Sequence, residues 1–207
     1  MFPAPRELLL IVPGLLSAIM FHELAHGYVA FILGDPTARN SGRLTLNPLA
    51  HLDLVGTLML VVARFGWAKP VPVNPRYFKD RDKGMLLVAL AGPGANFVLA
   101  TLATYLLMQF ASAWPYLIRQ MLFYVLMYNI YLGVFNLIPV PPLDGSRIVR
   151  SLAPRGSAAE RLYYQMENYG WIVLMLLLIS GILPSVLLPL ANWMQQFISV
   201  IVSTIVI

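Results

Sequence analysis

The chain has 207 residues, of which 59% are hydrophobic and 11% are charged, and its formal net charge is +5 at pH 7. Soluble domains carry about 25% charged residues, so this composition indicates an integral membrane protein and excludes an ordinary soluble domain. The absence of cysteine excludes disulfides, thiolate zinc ligands and thiol nucleophiles, and the modest positive charge, without a dense Lys/Arg cluster, argues against a nucleic-acid partner.

Long apolar stretches occur throughout the chain and predict an all-α polytopic bundle of about four to six transmembrane helices. Such a helix needs about 20 predominantly apolar residues. The stretches that meet this requirement are roughly 7–33, 84–109, 117–138 and 169–190. The apolar tail at 192–207 is shorter and follows Pro184 and Pro189, so it is either a fifth span or an interfacial segment.

Two shorter segments do not fit a spanning helix. The apolar stretch 54–67 is too short to cross a bilayer and contains Arg64, so we expect a re-entrant or interfacial segment. Proline alternates with Val and Asn in "WAKPVPVNPRYF" (67–78), which predicts extended backbone. Apolar and polar residues alternate in "RLTLNP" (43–48), which is a candidate partner strand for a small extended element.

Lys and Arg residues indicate the orientation of the bundle. They are frequent in 34–83 and 139–168, whereas the connection 111–115 contains none. By the positive-inside rule the two basic segments face the cytoplasm, and the two spans between them make this assignment consistent. We therefore expect a multi-pass protein of the cytoplasmic membrane with an extracytoplasmic N-terminus.

The first apolar stretch contains "HELAH", in which His22 and His26 are four residues apart. On a helix these side chains lie on the same face, so both can bind one metal ion, and Glu23 beside them can act as a general base. A chance match is the alternative, but a charged group near the bilayer centre costs about 2.5–3.5 kcal/mol and marks functional sites. Because His26 precedes Leu33 by seven residues, the site is expected about 10 Å inside the cytoplasmic end of the helix.

A catalytic zinc ion usually takes three protein ligands, so a third ligand is required. Asp144 in "NLIPVPPLDG" follows the span 117–138, where prolines at 139, 141 and 142 prevent a regular helix. This places it on irregular backbone at the depth of His26, although Asp-Gly is also common in surface turns.

Three other residues are candidates for the third ligand. His51 is a ligand, a partner of a ligand or a loop histidine. Asp53 either orients a ligand or is solvated, and Asp35 in "GDPT" is read as part of the turn that ends the first helix.

Three motifs in this order resemble those of the site-2 protease family of intramembrane zinc metalloproteases, in a compact form without PDZ or CBS domains. These motifs are "HELAH" (22–26), "GPGAN" (92–96) and "NLIPVPPLDG" (136–145). The resemblance implies a single domain over 1–207, with a catalytic core at about 7–150 and C-terminal helices at about 169–207.

The resemblance also implies roles for individual residues. One Zn²⁺ per chain would be bound by His22, His26 and Asp144, and Glu23 would be the general base. Asn136 would donate a hydrogen bond to the oxyanion, and Asn96 would support the site, the alternative for Asn96 being packing between helices.

The activity implied is hydrolysis of peptide bonds within or near transmembrane segments, as in regulated intramembrane proteolysis. The partners would be a transmembrane protein substrate and the lipid bilayer, with the active site in the bilayer toward the cytoplasmic side. The segment 67–78 either pairs with the unwound substrate as an added strand or only covers the site. The alternative functions are a non-proteolytic, metal-dependent membrane scaffold or chaperone and a zinc transporter.

Overall fold

The structure is a computed structural model that describes residues 5–63 and 66–206. It contains eight α-helices in this part of the chain, so the prediction of an all-α fold is confirmed. The helices are α1 (Pro5–Ile32), α2 (Thr37–Asn40), α3 (Leu54–Ala63), α4 (Arg81–Phe110), α5 (Tyr116–Asn136), α6 (Asp144–Leu152), α7 (Ala158–Ile179) and α8 (Ile182–Val206). Short 3₁₀ turns cover Pro48–Ala50 and Pro75–Tyr77.

Four of the described helices are long and apolar enough to cross a membrane: α1 from Glu7, α4, α5 and α8 up to Ile205. The first three coincide with the spans predicted at 7–33, 84–109 and 117–138. The sequence explains where α4 begins, because the carboxylate of Asp80 accepts hydrogen bonds from the backbone N–H groups of Asp82 and Lys83.

The fourth predicted span, 169–190, is wrong. The helix α7 ends at Ile179, Gly181 adopts a left-handed conformation with φ +76°, and α8 begins at Ile182. A positive φ favours glycine and ends the helix. The break expected at Pro184 and Pro189 does not occur. Pro184 lies in the first turn of α8, where its missing N–H is not needed, and α8 continues through Pro189. The tail 192–206 is thus the second half of a spanning-length helix.

The helices α1, α4 and α5 pack against one another and form the centre of the bundle. Gly14 permits the approach of α1 to α5, since a Cβ atom there would lie 2.7 Å from the backbone of Tyr124. The helix α8 packs on α4 and α5 through a core that includes Ala100, Ile130 and Ile198. The short helix α6 packs against α4 and thereby comes to the centre of the bundle.

Residues 64 and 65 of the predicted segment 54–67 lie outside the described residues, and Arg64 is one of them. The described part of this segment contains the ten-residue helix α3, which at about 1.5 Å per residue is too short to span a bilayer. The chain returns so that Leu52 and Ala68 form an isolated antiparallel bridge. A re-entrant or interfacial location remains a prediction.

The extended element is smaller than predicted, and its partner is different. The backbone of 67–74 is not helical, and Lys69 donates its N–H to the carbonyl of His51 at 2.9 Å. Within the described ranges, 43–48 forms no strand with it, because Asn47 caps the turn at Pro48–Ala50 and diverts the chain. The guanidinium of Arg43 contacts this element by donating to the carbonyl of Lys69.

Candidate metal centre

Two histidines and one aspartate meet inside the bundle. His22 and His26 lie one turn apart on α1, and Asp144 is the first residue of α6. The Nε2 atoms of the histidines are 3.0 Å apart, and Asp144 Oδ2 lies 3.1 Å from His22 Nε2 and 3.0 Å from His26 Nε2. All three residues are buried, with about one-twentieth of each exposed. The alternative of a surface turn at Asp144 is therefore excluded.

The outer nitrogen of each imidazole is a hydrogen-bond donor. His26 Nδ1 lies 2.7 Å from the carbonyl oxygen of Val88, which can only accept. His22 Nδ1 lies 2.7 Å from Asn96 Oδ1, and the orientation of that amide is set because Asn96 Nδ2 donates to the carbonyl of Ala18 and to Asn129 Oδ1. In the neutral form that binds a metal ion, both imidazoles therefore carry their proton on Nδ1 and direct the Nε2 lone pair inward.

This arrangement fits a metal ion. Three lone pairs converge, and Asp144 Oδ2 is buried without a hydrogen-bond donor among residues 5–63 and 66–206. A single proton could form a hydrogen bond between only one pair of these three atoms, whereas a divalent cation at the centre would accept all three lone pairs. Tetrahedral zinc with bonds of about 2.0–2.1 Å separates its donor atoms by about 3.3 Å, close to the observed 3.0–3.1 Å.

The local backbone explains how Asp144 reaches the two histidines. Between α5 and α6 the chain is irregular, as the three prolines predict. Gly145 then packs directly against the carbonyl groups of Leu137 and Ile138, a space that any Cβ atom would fill. The glycine of the Asp-Gly pair therefore serves close packing, and this packing carries the neighbouring carboxylate into the bundle.

The electrostatics of Asp144 favour the carboxylate form. Its second oxygen, Oδ1, lies 3.8 Å from the guanidinium of Arg147 one turn along α6. The group thus presents an anionic oxygen toward the two neutral nitrogens.

Glu23 lies next to this group but is not part of it. Its Oε2 accepts a hydrogen bond of 2.9 Å from the backbone N–H of Val71. Asp35, at the end of α1, similarly accepts the N–H of Asn74 at 2.6 Å and also binds Thr37. Two carboxylates of the α1 region therefore hold both ends of the segment 71–74 over the helix.

The other predicted residues lie in different surroundings. His51 is buried and donates from Nε2 to the carbonyl of Thr45, and it does not belong to the His-His-Asp group. Asp53 accepts the N–H of Gly56 at the start of α3. Asn136 donates to the carbonyl of Leu132 in its own helix. Of the supporting residues, Asn96 is the one that directly contacts a histidine of the group.

Sequence reasoning missed two residues of this hydrogen-bond arrangement: Val88, whose carbonyl accepts from His26, and Asn129, whose amide oxygen accepts from Asn96. A backbone carbonyl such as that of Val88 has no signature in the sequence. Asn129 does have one, because it interrupts the apolar α5 helix, and a polar residue in a spanning helix marks a functional position.

The residue Gly92 of α4 lies against both imidazole rings. A Cβ atom there would lie 2.5 Å from His26 Nε2 and 2.6 Å from His22 Cε1. Because hydrogen bonds hold both rings, we expect Gly92→Ala to weaken zinc binding by about 10- to 100-fold and to lower stability by about 1–3 kcal/mol. Chelator competition and thermal unfolding measure these effects.

Gly94 provides the matched control, since a Cβ atom at that position would meet no described atom within 4 Å. Gly94→Ala should leave zinc affinity unchanged and raise helix stability by about 0.5–1 kcal/mol. Equal zinc affinities in the two variants would contradict the close packing of α4 on the histidines.

Comparison with known proteins places the chain in a family. A model of the family described as "Peptidase family M50" matches residues 108–181. YwhC of Bacillus subtilis (strain 168), named "Putative zinc metalloprotease", is 42% identical over 189 residues, which cover 88% of this chain and 85% of that protein. Rip2 of Mycolicibacterium smegmatis, with the same descriptive name, is 29% identical over 196 residues, covering 91% of this chain and 74% of that protein. No solved structure matches this chain.

The fold and the site define a multi-pass membrane protein with a candidate metal centre inside its helical bundle. Together with the similarity to YwhC over most of both chains, they identify the family. The chain belongs to the site-2 protease family, peptidase family M50. The names of its relatives give zinc as the metal.

Proposed function

We propose that the protein is an intramembrane zinc metalloprotease that hydrolyses peptide bonds within or near transmembrane segments of membrane proteins. The observation that carries this proposal is the convergence of three buried lone pairs on helices α1 and α6. Because α1 is apolar and long enough to span a membrane, a metal site on it serves chemistry at membrane depth. Membership of the site-2 protease family supports the assignment.

The cofactor is zinc, one ion per chain, and His22, His26 and Asp144 would hold it. When bound there, zinc supplies Lewis-acid chemistry that acidifies a water molecule and polarises a carbonyl. With three protein ligands, such an ion would keep a position for water or substrate, as hydrolysis requires.

Glu23 is the general base in this proposal. Its carboxylate takes a proton from the attacking water and delivers it to the amine that leaves. The hydrogen bond from the Val71 N–H to Oε2 restrains the orientation of the carboxylate, while Oε1 is the second oxygen that can accept a proton. The proposed base thus lies on the same helix as two of the proposed metal ligands.

Asn136 is proposed as the donor to the developing oxyanion. One N–H of its side-chain amide donates to the carbonyl of Leu132. The amide has a second N–H, which can stabilise negative charge on the substrate oxygen. Asn96 is assigned a positioning role through its contact with His22.

The substrate must present an unwound segment, because a helical peptide bond has its carbonyl in the hydrogen-bond ladder. The extended segment 67–74 is the candidate surface for pairing. Few of its backbone N–H groups are free to pair with a substrate. Those of Lys69 and Val71 donate within the protein, and residues 70 and 72 are proline, which has no N–H. Pairing through Val71 would therefore require this N–H to leave Glu23.

The active site is proposed to face the cytoplasmic side, with the N-terminus outside. An ion pair supports this topology, because Arg155 in the second basic segment lies 2.7 Å from Asp82 in the first. The two segments that the positive-inside rule assigns to the cytoplasm thus meet at the same end of the bundle.

Asp35→Asn tests whether the hydrogen bond that fixes one end of the segment 71–74 contributes to catalysis. Both carboxylate oxygens accept backbone N–H groups, from Thr37 and from Asn74, and an amide can replace only one of them. We expect a loss of about 1–3 kcal/mol in stability and a roughly tenfold slower cleavage from misplacement of the segment. Zinc content should not change, because Asp35 is outside the His-His-Asp group.

Thermal unfolding, zinc analysis and cleavage rate measure these effects. Asp80→Asn is the control, since Asp80 caps α4 and asparagine caps a helix equally well. A cleavage rate for Asp35→Asn equal to that of Asp80→Asn would show that this contact has no catalytic role.

The proposed function is tested by reconstituting the purified chain with zinc in liposomes that contain single-span membrane proteins. We expect zinc-dependent cleavage, with sites within or next to the spans when the products are mapped by mass spectrometry. Bound zinc without cleavage of any substrate would favour the scaffold, and movement of zinc across the liposome membrane would favour the transporter.

A further inference from the structure

The buried side chain of Asn129 lies in the middle of α5, a helix composed mainly of apolar residues. It is fully buried, and both ends of its amide are used. Nδ2 donates to the carbonyl of Val125 at 2.8 Å, and Oδ1 accepts from Asn96 Nδ2 at 2.9 Å. Burying such a group in an apolar helix is costly unless each polar atom is paired.

The contacts form a chain of hydrogen bonds with a defined direction. The carbonyl of Val125 can only accept, so Asn129 must direct Nδ2 toward it and Oδ1 toward Asn96. Asn96 must then direct Nδ2 toward Asn129 and Ala18, which leaves Oδ1 for the Nδ1–H of His22. Each amide thus sets the orientation of the next.

The chain of hydrogen bonds ends at Nδ1, the outer nitrogen of the His22 ring. If Nδ1 carries the proton, Nε2 presents a lone pair toward Asp144 and His26. If the Asn96 amide were to turn over, Nδ2 would face Nδ1, which would then have to accept. The proton of the neutral ring would move to Nε2 and occupy the position of the metal.

We propose that Asn129 is a positioning residue for the metal ligand His22, acting through the Asn96 amide. This inference rests on the proposed metal site and adds a residue on α5, a central helix that supplies none of the three proposed ligands. Without Oδ1 of Asn129, the Ala18 carbonyl alone opposes rotation of the Asn96 amide. The histidine then samples a tautomer that cannot bind zinc.

Asn129→Leu tests the proposal, with zinc affinity measured by chelator competition and thermal unfolding measured without zinc. We expect zinc affinity to fall by about 10- to 100-fold, the range for residues that orient a metal ligand. Thr104→Val is the control, because Thr104 is also buried in the bundle and its hydroxyl, among the described residues, bonds only to the Ala100 carbonyl in its own helix. Its zinc affinity should equal that of the wild type.

Asn129→Asp keeps the test valid if the leucine variant does not fold. A neutral aspartic acid side chain offers an acceptor to Asn96 and a hydroxyl donor to Val125, so zinc affinity should be close to that of the wild type. In a double-mutant cycle, Asn96→Leu combined with Asn129→Leu should lower zinc affinity no further than Asn96→Leu alone.

The outcomes separate this inference from the proposed function. A wild-type chain that binds no zinc would overturn both. If the wild type binds zinc and Asn129→Leu binds it as tightly as Thr104→Val does, Asn129 is a packing residue only. The inference also fails if Asn129→Asp loses affinity as strongly as the leucine variant or if the two asparagine variants are additive.

Discussion

Glu23→Gln is expected to abolish proteolysis while leaving zinc bound. General acid–base catalysis contributes about 10²–10⁴-fold, so the cleavage rate should fall at least about 100-fold. The substitution preserves shape, and the amide oxygen of glutamine can still accept the N–H of Val71, so the segment 71–74 should remain in place. The measurement is the cleavage rate in liposomes together with zinc content per chain.

Glu167→Gln is the matched control for this experiment. Glu167 is an exposed carboxylate that pairs with Arg150 at 3.0 Å, outside the His-His-Asp group. Its replacement should leave the cleavage rate unchanged. Cleavage by Glu23→Gln at a rate within a few-fold of the Glu167→Gln rate would refute the assignment of the base.

Asp144→Asn is expected to remove zinc from the protein. Asp144 Oδ2 completes the triangle with the two histidine nitrogens, and the neutral amide is a poor metal ligand beside them. Zinc should fall from about one ion per chain to a small fraction of that, and proteolysis should be lost with it. Zinc at about 100 times the dissociation constant should stabilise the wild type by about 2.7 kcal/mol and the variant not at all.

Asp53→Asn serves as the control, because Asp53 caps α3 and does not belong to the group. It should retain one zinc ion per chain and the zinc-dependent rise in unfolding temperature. Stoichiometric zinc in Asp144→Asn would show that the third ligand lies elsewhere, with His51 the first residue to test.

Both predictions depend on the position of α6, which the sequence indicated only in part. The prolines predicted that the helix before Asp144 ends, and α5 does end at Asn136. What carries Asp144 inward is the contact of Gly145 with the carbonyls of Leu137 and Ile138. A local pattern of residues does not reveal such a contact, because it depends on how two helices meet.

The helices α7 and α8 show that hydropathy alone did not locate the boundary between two helices. The apolar residues continue from α7 into α8 without an interruption in hydropathy, so the prediction joined the end of one helix to the beginning of the other. Gly181 separates them through its positive φ. The prolines that were predicted to break the chain are accommodated in α8, one of them in its first turn.

The sequence by itself determined the membrane class, three of the spans and the pairing of His22 with His26. These features depend on composition and on the period of one helix, which are local properties. Only the tertiary structure decided that Asp144 completes the group, that Val88 and Asn96 set the protonation of the imidazoles, and that Val71 binds Glu23. Each of these contacts joins residues at least 48 positions apart, so they exist only because α4, α6 and the extended segment 67–74 pack closely around α1.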